Sequence, residues 1–94
     1  MKSAEFGAYL KAHREVKGIP QRIVAHALDV DTSTLSKIEL GERQISISMI
    51  KPLSEILELD YKELQIRFLS EKISSEFKDT PFLKEALQLV LKKI

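Results

Sequence analysis

With 94 residues and no cysteine, the chain is long enough for one domain around one hydrophobic core, and it can hold neither disulfides nor thiolate metal sites. An apolar fraction of 44% is ordinary for a globular protein, and a formal net charge of +1 means that any nucleic-acid surface must be a local cluster rather than bulk basicity. No apolar run approaches the ~20 residues of a membrane span and no charged-then-apolar leader opens the chain, so a soluble, cytoplasmic protein is expected.

Phe6, Tyr9, Leu10 and His13 recur at helical spacing and predict a first amphipathic helix over 3–17. Ser3 is its expected N-cap, and Gly18 ends it. Ile19-Pro20 fits a restart, because proline is tolerated in the first turn of a helix. A second helix covers about 20–28, and the small Ala25 suits a close approach of two helices. The turn Asp29-Val30-Asp31 follows, with Asp31 capping a third helix that runs to about Leu40, where Gly41 stops it.

The third helix carries Thr32, Ser33, Thr34, Ser36 and Lys37 at its exposed positions. Long charged side chains usually cover a solvent face, because they favour helix. Short hydroxyls instead let another surface come close, and they donate or accept hydrogen bonds. Two short helices across a tight turn, here from Gln21 to Glu39, form a helix-turn-helix, whose second helix can enter a DNA major groove. Lys17, Arg22, Lys37 and Arg43 would supply the local positive field, with Glu55, Glu58, Asp60 and Glu63 later in the chain on the acidic side.

After a loop at 42–45, a fourth helix over 46–58 buries Met49, Ile50, Leu53, Ile56 and Leu57. With Ser48 as its N-cap, Pro52 falls in the first turn, where its missing N–H costs little. Asp60 caps a fifth helix from about Tyr61, whose apolar positions Ile66, Leu69, Ile73 and Phe77 run past the needs of one small domain. Thr80-Pro81 predicts the start of a last helix over 81–93, apolar on more than one face. No strand pattern or repeat appears, and the expected fold is all-α. His13 and His26 have no partners at metal-ligand or nucleophile spacing, and the three glycines form no phosphate loop. No catalytic residue, metal or cofactor is therefore expected, and the chain does not read as an enzyme.

From about Phe6 to Leu64 the chain resembles the Cro/CI-type (Xre-like, lambda-repressor-like) helix-turn-helix domain of transcriptional regulators. The resemblance rests on Leu10, Arg14, Gly18, Gln21, Ala25, Leu28, Val30, Leu35, Ser36, Ile38, Glu39, Gly41, Leu53, Leu57 and Leu64 in order. It implies a five-helix DNA-binding domain with residues 31–40 as the recognition helix. Thr32, Ser33 and Lys37 would face bases, Gln21 would touch phosphate, and Thr34 and Arg43 would lie near the DNA backbone. Arg22 and Ser36 complete the candidate DNA-binding set. Arg14 and Glu39 are expected to form a structural ion pair between the first and third helices. Asp29 replaces the usual turn glycine, Pro20 the usual capping hydroxyl, and His13 a usually apolar residue.

The chain is thus expected to divide into a DNA-binding domain at 1–69 and a C-terminal helical extension at 70–94. The extension would dimerise through Ile73, Phe77, Leu83, Leu87, Val90 and Ile94, the alternative being that its helices pack within their own domain. The expected partners are double-stranded DNA with a palindromic site and a second copy of the chain. No membrane partner or small-molecule ligand is evident. The alternative is a protein-interaction module, such as an antitoxin, in which DNA binding is secondary.

Overall fold

The computed structural model describes residues 3–94, with side chains from Glu5 onward. Six α-helices follow in order: α1 (Ser3–Val16), α2 (Gln21–Ala27), α3 (Thr32–Glu39), α4 (Ile50–Ile56), α5 (Tyr61–Glu76) and α6 (Leu83–Lys93). A 3₁₀ turn at Ile47–Met49 leads into α4, and no strand occurs among the described residues. The all-α expectation holds. The reading of Ser3 as a cap lies outside the described side chains. No helix among the described residues is long and apolar enough to cross a membrane.

Four of the helix ends are built alike. After α1, α2, α3 and α4 one residue turns into the left-handed region: Gly18 at φ 66°, Asp29 at 59°, Gly41 at 80° and Glu58 at 55°. The following N–H reaches back five residues, from Ile19 to Arg14, Val30 to Ala25, Glu42 to Lys37 and Leu59 to Ser54, at 2.8–3.1 Å. This closure satisfies carbonyls that a helix end leaves open and usually brings an apolar residue back onto the helix. Ile19, Val30 and Leu59 accordingly pack against the core. Aspartate tolerates the left-handed conformation better than most residues, which explains Asp29; Glu58 adopts it without that preference.

The core is drawn from every helix except α6. Leu10, Val24, Leu35, Ile50, Leu53, Leu57 and Leu64 are its most enclosed side chains, with Phe6 and Phe68 meeting at 5.8 Å between ring centroids. α3 packs on α1 and α2, while α4 packs on α5. The approach of α1 to α3 depends on Gly7, where a Cβ would sit 2.2 Å from the Ile38 carbonyl oxygen and 2.7 Å from that of Glu39.

Two local expectations are corrected. Ser48 is not an N-cap: it lies inside the 3₁₀ turn, its hydroxyl 2.8 Å from that of Ser46. That turn places Pro52 third in α4, where an N–H has no helical acceptor in any case, so the proline is accommodated as expected by a different route. Thr80-Pro81 does not open α6: the Thr80 hydroxyl donates back to the Phe77 carbonyl, finishing α5, and α6 begins at Leu83 without a side-chain cap. α5 turns Leu64, Phe68 and Glu71 inward; of the apolar positions that run past the needs of one domain, Ile66, Leu69 and Phe77 are exposed and Ile73 is half-buried.

α6 buries no residue. The chain measures 42 × 24 × 22 Å with a radius of gyration of 14.5 Å, against roughly 12.4 Å for a compact domain of this length. The excess reflects a final helix standing clear of the core.

Candidate nucleic-acid interface

The turn after α2 and the cap of α3 set how α3 is displayed. Asp31 is extended at φ −85°, ψ 168°, and its carboxylate accepts from the Thr34 N–H at 2.7 Å. Hydrogen bonding from Thr34 holds the Asp31 carboxyl below its ordinary range, with Lys37 and Arg43 adding attraction. At about 100° per residue, Thr32, Ser36, Leu40, Ser33 and Lys37 fan across roughly 140° of one side of α3, opposite the buried Leu35 and Ile38. Thr32, Ser33 and Lys37 are exposed and Thr34 is half-buried. Arg22 at the start of α2 and Arg43 after α3 are exposed as well, so the proposed contact set presents three cations and several short hydroxyls.

Behind this face lies a polar clasp. Arg14 grips Glu39 with two nitrogens, Nε to Oε2 at 2.7 Å and Nη2 to Oε1 at 3.1 Å, and its Nη1 donates to the Ile19 carbonyl at 2.9 Å. Gln21 donates to the same Glu39 Oε1 at 3.0 Å, and the Ser36 hydroxyl donates to Gln21 Oε1 at 3.3 Å. The Glu39 hydrogen bond raises the Arg14 pKa above its already high value. The expected Arg14–Glu39 pair is therefore present, and it extends to Gln21 and Ser36. Two residues expected to meet DNA thus have their side chains engaged between α2 and α3. Gln21 keeps a second amide hydrogen and Ser36 its lone pairs for a ligand.

Other expected residues separate more simply. Lys17 pairs with Glu58 at 3.3 Å. His13 packs against Tyr9 at 4.5 Å between ring centroids, the ring planes tilted by 58°, which accounts for its place in an otherwise apolar position. Among the expected dimerisation residues, Ile73 and Leu83 are half-buried, while Phe77, Leu87, Val90 and Ile94 are exposed, Ile94 to 93%. Leu40, 60% exposed beside Lys37, was not anticipated; its position one turn after Ser36 on the α3 wheel was the available signal. Among the described residues no group of three or more His, Asp or Glu could hold a metal ion.

A helix-turn-helix family model matches residues 10–64, more than half of the chain. This chain belongs to the Cro/CI-type helix-turn-helix regulators. Such regulators bind DNA to control transcription, and this family member is similar to the HTH-type transcriptional regulator YazB of Bacillus subtilis (strain 168), itself uncharacterized. The two are 33% identical over 64 residues, which is 68% of this chain and 93% of YazB. The regulator is also similar to the restriction-modification controller protein C.AhdI from Aeromonas hydrophila. That crystal structure matches with a TM-score of 0.59 and 31% identity, covering 66% of this chain and 90% of the controller. Both relatives are matched over nearly their whole length yet account for only two-thirds of this regulator, and the family model ends before α6.

Proposed function

We propose that this regulator binds a palindromic DNA site as a homodimer, with α3 of each copy in successive major grooves. The observation that carries the reading is the division of polar groups on α3. Glu39 and the half-buried Ser36 are tied into the clasp with Arg14 and Gln21, while Thr32, Ser33 and Lys37 are left exposed on a rigidly held helix. Lys37 would reach guanine O6 and N7, and the hydroxyls of Thr32 and Ser33 would contact base edges. Arg22, Arg43 and Thr34 would set the register on phosphates, and Gln21 and Ser36 would contribute from fixed positions. Leu40 adds an apolar contact of the kind that meets a thymine methyl.

The domain boundary near residue 69 and the dimer role of residues 70–94 belong to the same proposal. Ile66 and Leu69 on α5 with Phe77 just after it, and Leu87 and Val90 on α6 with Ile94 just after it, expose apolar surface that an isolated chain gains nothing from showing to water. A lone helix as short as α6 is marginal in water, so a second copy packing on it is the natural support. A dimer spaces two recognition helices about 34 Å apart.

Selection of bound duplexes from a random pool tests the reading. The expected product is a two-fold symmetric sequence, bound with an affinity that falls by about 0.9 log units per log unit of salt for each phosphate contacted. Selected duplexes lacking symmetry, or a chain that stays monomeric by sedimentation at the binding concentration, would overturn it. The exposed apolar surface of α6 also suits an unlike protein partner. Capture of such a partner with little salt dependence, and no duplex enriched, would favour that second reading.

A further inference from the structure

The clasp behind α3 fixes the direction of every hydrogen bond in it, and that direction reaches the surface of α3. Arg14 carries donors and no acceptor, and it holds both oxygens of Glu39. Glu39 is thereby the acceptor, so Gln21 turns its amide nitrogen toward Glu39 Oε1, at 3.0 Å. The opposite amide orientation would set two acceptor oxygens against each other. With the nitrogen so placed, Gln21 Oε1 faces Ser36 and can only accept. Ser36 therefore commits its hydroxyl hydrogen to Gln21, across 3.3 Å.

What remains on Ser36 is a pair of acceptor positions. Ser36 is half-buried and falls between Thr32 and Leu40 on the side of α3 that also carries Ser33 and Lys37. A free serine hydroxyl reads donors and acceptors alike, because its hydrogen rotates to suit. The Ser36 hydroxyl donates inward and can only accept from outside. Phosphate oxygens, guanine O6 and N7 and thymine O4 are themselves acceptors and offer it nothing. The donors displayed in a major groove are the exocyclic amino groups, adenine N6 and cytosine N4. Lys37 is the converse, a donor with no acceptor, suited to guanine.

We propose, resting on the reading that α3 enters a major groove, that Ser36 determines specificity by accepting from the amino group of an adenine or a cytosine. Gln21 and Glu39 are positioning residues that impose this sense on it. The test uses a duplex recovered by selection, altered one base at a time. Purine replaces adenine and the deamino analogue replaces cytosine, so that each loses its amino group; deazaguanine replaces guanine and loses N7. Comparing two proteins on the same duplex cancels any weakening of the base pair itself. At one adenine or cytosine of each half-site, loss of the amino group is expected to weaken wild-type binding about three- to tenfold, and Ser36→Ala to erase that loss. Alanine favours helix, so Ser36→Ala is expected to fold. Gln21→Ala frees the Ser36 hydrogen. It is expected to lower affinity for all duplexes and, at that one position, to relax discrimination against guanine and thymine by a similar factor. A bound duplex on which Ser36→Ala couples to guanine N7, to a methylphosphonate-substituted phosphate or to no amino group would overturn the assignment and leave the homodimer reading standing. Unchanged discrimination in Gln21→Ala would overturn the positioning role. Recovery of no duplex at all would remove the groove reading, and this role with it.

Discussion

Glu39 and Glu71 are buried to nearly the same degree, 5% and 4% exposed, and occupy opposite circumstances. Glu39 receives two hydrogen bonds from Arg14 and one from Gln21 and so joins three helices. Glu71 has no hydrogen-bond partner among the described residues; Arg67 pairs with it only at 3.6 Å while lying over the Tyr9 ring. The contrast shows that enclosure alone says little about what a buried carboxylate does. The donors within reach decide whether it locks the fold or stays open to a proton.

The comparison breaks most severely at Arg14. Arg14→Ala strands Glu39 with Gln21 as its remaining donor, and loss of one partner from a buried pair costs about 3–5 kcal/mol. Urea denaturation should show that loss, with DNA affinity reduced only as far as the folded fraction falls. A stable Arg14→Ala that no longer binds DNA would move Arg14 from the scaffold to the interface.

Gly7 touches both regions, lining a cleft with Glu71 while lying against the carbonyls of Ile38 and Glu39. Gly7→Ala forces α1 away from α3 and should cost about 1–3 kcal/mol by thermal melting, as overpacking does. An unchanged Tm would mean that the two helices separate freely there. Lys37→Ala, on the outer side of the clasp, should leave the Tm in place and weaken specific DNA binding by about 1–2 kcal/mol in a fluorescence titration. Equal affinity in wild type and variant would remove Lys37 from the contact set.

The gentlest test is pH. Burial raises the Glu71 pKa, so the neutral acid is the form that folding favours. The stability this provides is complete below the ordinary glutamate range and is lost as pH rises through the higher folded value. Denaturation midpoints between about pH 4 and pH 8 should therefore decline more in wild type than in Glu71→Gln. Identical pH profiles would show that the carboxyl is solvated in solution.

Much of this was legible in the residues. Gly18, Gly41, Asp31 and Asp60 mark helix ends through local chemistry, and each acts at the expected place. The Arg14–Glu39 pair followed from resemblance to a family, since 25 residues separate the partners and no local rule joins them. What escaped depends on neighbours distant in sequence. Gly7 looks like any helical glycine until the carbonyls of α3 are placed beside it. Ser48 and Thr80 have capping chemistry, but each hydroxyl found another partner or role. Glu71 had a readable signal: Leu64, Phe68 and Glu71 fall at i, i+4 and i+7, so the acid stands on the inward stripe of α5.

The independence of α6 from the core has an evolutionary side. Substitutions on it open no void beneath α3 and shift no residue of the Arg14–Glu39 clasp. A lineage can therefore rewrite this tail, or shed it, while the helix-turn-helix keeps its shape.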